Sequence, residues 1–255
     1  MNSKELKNFS INLAKQSGKI LMKYFGNVKF VKTKEGHSYY TNADLESEKL
    51  ILSAIKKKYP SHDIISEESG RLNKKSDYTW FIDPLDGTHN FINGLPMFGV
   101  SIALAHKGKS ILGVIYLPFY NEMYVAEKGK GCYLDGKKIK VLKKSKLKNS
   151  FVLTELILRH LPGKKLKLLN KIKDIVYDIW VLGSAAFAQA MVAKGSADVY
   201  SVKGTHSWDI AAGLLMIEEA GGKASMLNGN PWKIKDGAFL AANKTLHPKL
   251  LKIIN

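Results

Sequence analysis

The sequence has a single cysteine, two arginines and no long apolar run. Cys132 alone can form neither an internal disulfide nor a cysteine-based zinc site. A transmembrane helix needs about 20 consecutive apolar residues, and no such stretch occurs. The N-terminal segment also lacks the continuous apolar core and the small-residue cleavage site of a secretory signal peptide. These absences predict a soluble cytoplasmic protein with no membrane contact.

Acidic residues are scarce as well, with 22 of them against 40 basic ones and a formal net charge of +18. Nearly all of the basic residues are lysines, since the arginines are confined to Arg71 and Arg159. Base readout and bidentate phosphate binding favour arginine. The composition therefore favours a solvated lysine surface, with a nucleic-acid partner left open as an alternative. In either case a positive field would attract a phosphorylated substrate.

Hydrophobic spacing divides the 255 residues into two differently patterned parts. The first part has predicted helices over 4–25 and 44–59, followed by short β-branched and aromatic runs typical of strands. The second part alternates strands with helices, including one predicted over 164–174 and one over 209–220, as in α/β layering. We place the boundary in a lysine-rich stretch between them. This predicts an N-terminal α+β domain, residues 1–145, and a C-terminal α/β domain, residues 146–255.

Acidic residues stand at the ends of apolar runs in three distant segments. Asp83 ends one apolar strand, and Asp86 follows three residues later on a turn. Glu67 follows an earlier predicted strand, and Asp209 opens a predicted helix. Taken singly, such residues are typical of turns, solvated loops and helix N-caps. Their meeting in space would indicate a shared function.

Four carboxylates in one cleft would require cations or raised pKa values. Two carboxylates about 4 Å apart repel each other by roughly 4 kcal/mol at an effective dielectric constant of ~20. Oxygen-only ligands suit Mg²⁺ or Mn²⁺ better than zinc. Paired ions of this kind can clamp a phosphate and stabilise its leaving oxygen. The acidic segments therefore predict divalent-cation-dependent phosphate chemistry.

Together the segments resemble the motifs of the inositol monophosphatase family, a group of lithium-sensitive, magnesium-dependent sugar phosphatases. The matching stretches are 67–69 (EES), 83–91 (DPLDGTHNF) and 208–213 (WDIAAG), with further likeness at 41–44 and 183–186. Their order and spacing agree over nearly the whole chain. The resemblance implies an α+β or α/β fold built as a layered αβαβα sandwich, and a homodimer.

The resemblance also implies a set of metal ligands. Glu67 and Asp83, with the backbone carbonyl of Leu85, would hold a first Mg²⁺ ion. Asp83, Asp86 and Asp209 would hold a second, and the site would bind two or three ions in all, with Mn²⁺ as an alternative. Most of these ligands fall in the predicted N-terminal domain, and Asp209 falls in the C-terminal one.

Other matching residues would act on water and on the substrate. Glu67 and Thr88 would orient and activate the attacking water, with Asp44 behind them. Direct attack by water is expected because the segments offer no Cys or His nucleophile. A loop lysine near the metals would be Lys32 or Lys34. The substrate would be bound by Asp86, Gly87, Thr88, Gly183, Ser184, Ala185 and Asp209.

One departure from the family pattern bears on the substrate. Inositol-specific members carry a glutamate seven residues before the aspartate that matches Asp209, whereas this chain has Val202, followed by Lys203. The prediction is a small phosphorylated metabolite, with an inositol-1-phosphate-like compound ranked first. Fructose-1,6-bisphosphatase, 3′-phosphoadenosine nucleotidase and histidinol-phosphatase activities share the metal motifs and stay open. The alternative from another class is an RNA- or transcription-machinery-binding protein, which the net charge suggests.

Overall fold

The computed structural model describes residues 2–28, 31–33, 39–155 and 169–255. Residues 169–172 are also helical, so the helix predicted over 164–174 lies partly outside the described residues. The helices are α1 (Ser3–Tyr24), α2 (Asn42–Lys58), α3 (Thr88–Ile92), α4 (Ala185–Ala193), α5 (Ser207–Ile210), α6 (Gly213–Glu219) and α7 (Leu246–Ile254).

The strands form two large sheets and one small one. They are β1 (Val31–Thr33), β2 (Tyr39–Thr41), β3 (Asp63–Ser66), β4 (Gly70–Leu72), β5 (Tyr78–Asp86), β6 (Gly99–His106), β7 (Lys109–Leu117), β8 (Glu122–Glu127), β9 (Gly131–Leu134), β10 (Lys137–Lys138), β11 (Phe151–Glu155), β12 (Asp178–Val181), β13 (Val199–Thr205), β14 (Gly222–Met226) and β15 (Gly237–Asn243). The first large sheet has the order β10-β9-β8-β7-β6-β5-β3-β4, and the second has the order β12-β11-β13-β15-β14. Among the described residues, strands β1 and β2 pair only with each other.

Helices α1 and α2 cover one face of the eight-stranded sheet. Both helices bury one apolar side, and residues such as Leu13 and Ile51 pack with Trp80 and Ile102 from the sheet. Asn2 caps α1, and Thr41 forms a capping box with Asp44 at the start of α2. The outer helical layer is therefore fixed to strands β5, β6 and β7.

The other face of this sheet packs against helices α4 and α6, which also contact the five-stranded sheet. A single hydrophobic cluster joins Phe81 of the first sheet, Ala188 of α4 and Leu153 of the second sheet. Helix α7 covers the far side of the second sheet, where Leu250 packs with Val152. Helix, sheet, helix, sheet and helix thus follow one another, which confirms the predicted layered αβαβα sandwich.

Strand β5 places the acidic segments at one edge of the large sheet. It pairs in parallel with β3, so that Ser66 lies opposite Ile82. Parallel strands end at the same edge of a sheet, which brings the residue after Ser66 beside Asp83. On its other side β5 pairs with β6, and the register shifts between Asp83 and Asp86. This irregularity allows both carboxylates to leave the ladder near the same point.

The single helix predicted over 209–220 is wrong, because the chain forms α5 and α6 there with a turn between them. Two carbonyl oxygens at this break accept hydrogen bonds from side chains of other elements. Ser110 Oγ donates to the carbonyl of Ala211 at 2.7 Å, and Gln189 Nε2 donates to that of Asp209 at 2.9 Å. Such tertiary bonds replace the ladder of a continuous helix. The boundary predicted at residue 145 stays a prediction, although the shared hydrophobic cluster spans it.

Candidate active site

Three aspartates from two distant parts of the chain meet at the edge of the large sheet. Carboxylate oxygens of Asp83, Asp86 and Asp209 all lie within 4.8 Å of one another. Asp83 and Asp86 are only 2% and 7% exposed, and Asp209 is half-buried. Asp209 reaches them from α5, about 120 residues after β5. The fold therefore brings together aspartates whose meeting the sequence alone left as a hypothesis.

Glu67 joins this group from the turn after β3. Its backbone N–H donates to the carbonyl of Ile82 at 3.1 Å, which continues the pairing of β3 with β5. Its side chain shares a hydrogen bond with Asp83, and its charge raises the pKa of Asp83. Four carboxyl groups from three segments thus face one another.

The surroundings of the three aspartates disfavour negative charge on them. Burial raises the pKa of Asp83 well above its usual range, and the charges of Glu67, Asp86 and Asp209 raise it further. Burial and the charge of Asp209 raise the pKa of Asp86 to about 7, and burial raises the pKa of Asp209 to about 6. Ionising any of these three aspartates in the absence of a counter-charge therefore costs more free energy than ionising it in water.

A tight turn links Asp83 to Thr88. Asp83 Oδ1 accepts from the N–H of Leu85 at 3.1 Å, across Pro84. Thr88 Oγ1 lies 3.0 Å from the carbonyl of Leu85 and 3.3 Å from Asp44 Oδ1. Asp44 is fully buried, and burial raises its pKa to about 6. Thr88, which is predicted to orient the water, is therefore in contact with Asp44, which is predicted to lie behind it.

Gly87 closes this turn in a conformation that other residues rarely adopt, with φ at +88°. A Cβ placed there would lie 2.7 Å from the carbonyl oxygen of Met97 and 3.0 Å from Ser184 Cβ. Both the backbone angle and the close approach of α4 therefore require glycine.

Asp86 is fixed by the N-terminus of α4. Oδ1 accepts from the N–H of Ala185 at 3.1 Å, and Oδ2 accepts from the N–H of Ala186 at 2.8 Å and from Ser184 Oγ. A helix N-terminus stabilises a carboxylate through its free N–H groups and its dipole. The predicted pocket residues Ser184 and Ala185 thus orient Asp86, and Gly183 precedes them with φ at +70°.

Asp209 is oriented by the segment that leads into its helix. Oδ2 accepts from Thr205 Oγ1 at 2.6 Å and from the N–H of His206 at 2.8 Å. The N-cap of α5 is His206. Asp209 is the third residue of this helix, although its residue type alone suggests an N-cap. His206 in turn lies 2.9 Å from Asp236 Oδ2.

Glu155, at the end of β11, is a buried acid that sequence reasoning missed. Oε1 has no hydrogen-bond partner, and burial, followed by the charges of Asp86 and Asp209, raises its pKa well above the usual range. No motif marked it, because only the parallel pairing of β11 with β13 brings it near the aspartates. Of the two predicted loop lysines, Lys32 is exposed on β1, and Lys34 lies outside the described residues.

The donor set fits a divalent cation of the Mg²⁺ type. Among the described ion pairs, none joins a lysine or arginine to Asp83, Asp86 or Asp209. All the side-chain donors are carboxylate oxygens, and the carbonyl of Leu85 adds a backbone oxygen beside them. Mg²⁺ and Mn²⁺ prefer oxygen donors of this kind, and their charge would compensate the buried carboxylates.

Comparison with known proteins agrees with this geometry. The family model described as "Inositol monophosphatase family" matches residues 2–255. The chain belongs to the inositol monophosphatase family. It is therefore a phosphomonoesterase, as the resemblance of its motifs implied.

Relatives within the inositol monophosphatase family carry several names. The chain is 38% identical over 253 residues to a Nus factor SuhB of Pasteurella multocida, covering 97% of this chain and 94% of that protein. It is 37% identical over 241 residues to a fructose-1,6-bisphosphatase/inositol-1-monophosphatase of Aquifex aeolicus, covering 92% and 90%. A solved inositol monophosphatase from Thermotoga maritima matches with a TM-score of 0.89 at 33% identity, covering 97% of this chain and 96% of that one. The family is common to all three, whereas the named activities differ.

The helices of the described ranges are all too short or too polar to cross a membrane. This agrees with the absence of a long apolar run in the sequence.

Proposed function

We propose that the protein hydrolyses a small phosphorylated metabolite in a magnesium-dependent reaction, and that an inositol-1-phosphate-like compound is its first-ranked substrate. The observation that carries this proposal is the convergence of the carboxyl groups of Glu67, Asp83, Asp86 and Asp209 at one edge of the large sheet. Phosphate monoesters are among the slowest biological molecules to hydrolyse, with required accelerations up to ~10²¹. A cluster of cation-binding carboxylates meets that demand.

We assign the cation-binding atoms as the motifs imply. Glu67, Asp83 and the carbonyl of Leu85 would hold one Mg²⁺ ion, and Asp83, Asp86 and Asp209 a second, with a third ion or Mn²⁺ also compatible with the oxygen donors. Bound there, the ions would neutralise charge on the phosphate and on its leaving oxygen. The hydrogen bonds of Asp86 and Asp209 to α4 and to Thr205 fix these carboxylates in place before any cation arrives.

Thr88 and Glu67 are suited to orient the attacking water. The Thr88 hydroxyl is held between the carbonyl of Leu85 and the Asp44 carboxylate, and the Glu67 side chain shares a hydrogen bond with Asp83. A general base must lie within hydrogen-bond reach of the proton that it removes. We propose that Glu67 and Thr88 hold the water for direct attack on phosphorus, with Asp44 orienting Thr88.

The phosphate would bind beside the turn that contains Gly87. The N–H groups of Gly87 and Thr88 open helix α3 there, and N–H groups at such a turn suit an anion. Gly183, Ser184 and Ala185 lie against the same turn, since Ser184 Cβ approaches Gly87 closely. We retain all of these residues, with Asp86 and Asp209, as substrate-binding candidates. A homodimer and a cytoplasmic location also stay predictions.

A substrate panel tests the proposed function. With Mg²⁺ we expect inositol-1-phosphate to have a kcat/KM at least about tenfold above those of fructose-1,6-bisphosphate, 3′-phosphoadenosine nucleotides and histidinol phosphate. A tenfold preference corresponds to a difference of about 1.4 kcal/mol in activation free energy. In ¹⁸O-water, the released phosphate should carry one solvent oxygen and the protein should carry no label. Preference for another of the four substrates would overturn the ranking. Absence of turnover on all of them, or a phosphorylated protein residue, would overturn the proposed reaction.

A second candidate function is RNA binding at a lysine-lined groove. Lys140, Lys143 and Lys244 line a cavity of about 300 Å³ together with Asn243 and Thr245. These lysines are exposed, and none of them pairs with an acid among the described residues. The relative named Nus factor SuhB makes a link to transcription worth testing in this chain.

The groove predicts salt-dependent RNA binding. Replacing Lys140, Lys143 and Lys244 with glutamate should weaken binding of a single-stranded RNA and reduce the slope of log K against log salt by about two, because each phosphate contact contributes roughly 0.7. A matched control variant replaces Lys15, Lys19 and Lys49 with glutamate; these three lysines are exposed on α1 and α2. Equal losses in both variants would indicate a general charge effect, and absence of binding at moderate salt would remove this candidate.

A further inference from the structure

One buried face of α2 holds the turns that carry the metal-ligand candidates. Asp44, Ser47 and Glu48 are three and four residues apart, so they lie on the same side of the helix. All three are buried, with Glu48 only 4% exposed. Asp44 contacts Thr88, and Ser47 Oγ donates to the carbonyl of Pro84 at 3.0 Å. The first two residues of this face therefore support the turn between Asp83 and Thr88.

Glu48 supports the other turn, the one that contains Glu67. Its carboxylate accepts hydrogen bonds from the N–H groups of Glu68 and Ser69, at 3.2 and 3.1 Å. It also accepts from the hydroxyl groups of Ser66 and Ser69. Four donors on both sides of Glu67 thus converge on one carboxylate.

Stability alone is a weak reason for a buried carboxylate at this place. Removing a carboxylate from water costs free energy, and apolar residues of similar volume often replace buried charges without loss of stability. No lysine or arginine of the described ranges pairs with Glu48. Its four hydrogen bonds instead fix the backbone from Ser66 to Ser69, and with it the direction in which Glu67 points.

We propose that Glu48 is a positioning residue for the cation site, acting through Glu67. By holding the 66–69 turn against α2, it keeps the Glu67 carboxylate beside Asp83 and ready to bind Mg²⁺. Loss of the four hydrogen bonds would allow the turn to shift and would weaken cation binding. This inference rests on the proposed function, because it takes the Glu67–Asp83 pair as a metal site.

The test measures Mg²⁺ binding by the increase in unfolding temperature and by calorimetry, independently of turnover. Glu48→Ala should weaken Mg²⁺ binding by about tenfold or more, as outer residues of metal sites commonly do. Glu48→Gln should restore most of the affinity, since its carbonyl oxygen can still accept from the turn. Ser69→Ala removes one of the four contacts, the hydroxyl bond, because the backbone N–H of residue 69 remains. Combined with Glu48→Ala it should add little further loss.

Ile55→Ala is the matched control, because Ile55 is fully buried on the same helix and contributes only packing. It should lower the unfolding temperature without changing Mg²⁺ affinity. Equal Mg²⁺ affinities in Glu48→Ala and Ile55→Ala would overturn the positioning role while leaving the metal site in place. If the unsubstituted protein itself binds no Mg²⁺, the proposed function fails first, and the positioning role fails with it.

Discussion

Replacing Asp86 with asparagine should lower kcat by at least about a thousandfold at saturating Mg²⁺ and substrate. Asp86 is one of the three aspartates whose oxygens meet within 4.8 Å, and it is proposed to bind both cation and substrate. An amide carries no charge and binds Mg²⁺ poorly. A loss of roughly 4 kcal/mol of transition-state stabilisation corresponds to this decrease in rate.

At pH 5, the same substitution should change the unfolding temperature of the metal-free protein by no more than about 5 °C. Two effects oppose each other here. The amide group of asparagine would face an N–H donor of α4, where Asp86 now accepts from Ala185 and Ala186. Against this, removal of a buried charge relieves repulsion from Asp209. At pH 5, below the folded-state pKa of Asp86, the lost hydrogen bond and the relieved repulsion are of similar size, which makes the net change small.

Steady-state kinetics and thermal unfolding of the purified variant provide the measurement. Asp77→Asn serves as the control, because Asp77 is exposed and contacts only Lys107 among the described ion pairs. It should keep its full activity. If Asp86→Asn kept more than a tenth of the parent activity, the assignment of the carboxylate cluster as the catalytic site would be wrong.

The chelated protein should lose thermal stability as the pH rises from about 4.5 to 7.5. The folded-state pKa of Asp86 is about 7 against an ordinary value of 3.8, and that of Asp209 is about 6. In the folded state these groups hold their protons to higher pH than in the unfolded chain, so the unfolded state becomes favoured as protons are lost. The stability is thus fully present below pH ~4 and decreases through the folded-state pKa values.

The expected effect is large. Asp86 alone accounts for roughly 3 kcal/mol between pH 4.5 and 7.5. In a chain of this length, that corresponds to a decrease of about 10 °C in the unfolding temperature. Mg²⁺ should reverse the decrease, and its stabilising effect should be greater at pH 7.5 than at pH 5, where protons compete for the carboxylates.

Thermal unfolding in EDTA and in Mg²⁺ across the pH range measures this effect. The groups that face Asp86 and Asp209 include Glu67, Asp83 and Glu155, whose negative charges disfavour ionisation, whereas the charge of His206 acts in the opposite direction on Asp209. Asp86→Asn should show a flatter dependence in EDTA than the parent. A chelated parent protein that is as stable at pH 7.5 as at pH 5 would contradict the buried charge repulsion.

The sequence predicted the acidic cluster well, because its residues lie in short motifs at strand ends where chain direction determines proximity. Glu67 follows strand β3, and Asp83 lies near the end of strand β5. Because these two strands pair in parallel, both residues lie at the same edge of the sheet. The layered sandwich that the family resemblance implied was also confirmed, whereas hydrophobic spacing by itself predicted only the α/β layering of the second half.

Other features depend on contacts that local patterns do not encode. The interruption of the predicted 209–220 helix arises from Ser110 and Gln189, which lie about 100 and 20 residues away. Glu48 and Glu155 belong to no motif, because their importance comes from what packs against them. Glu48 is four residues after Asp44 on a predicted helix, so the sequence places both on the same helix face. The turn that Glu48 binds could not be predicted from the sequence.

The bond between Asp86 and the start of α4 has a consequence for how such enzymes diverge. A ligand from the first sheet is oriented by amides that belong to the second half of the chain. Neither half can therefore drift, be exchanged between homologues or be re-engineered alone without altering the geometry of the ion site. Substitutions that tilt α4, even far from the carboxylates, should be inherited together with compensating changes near β5.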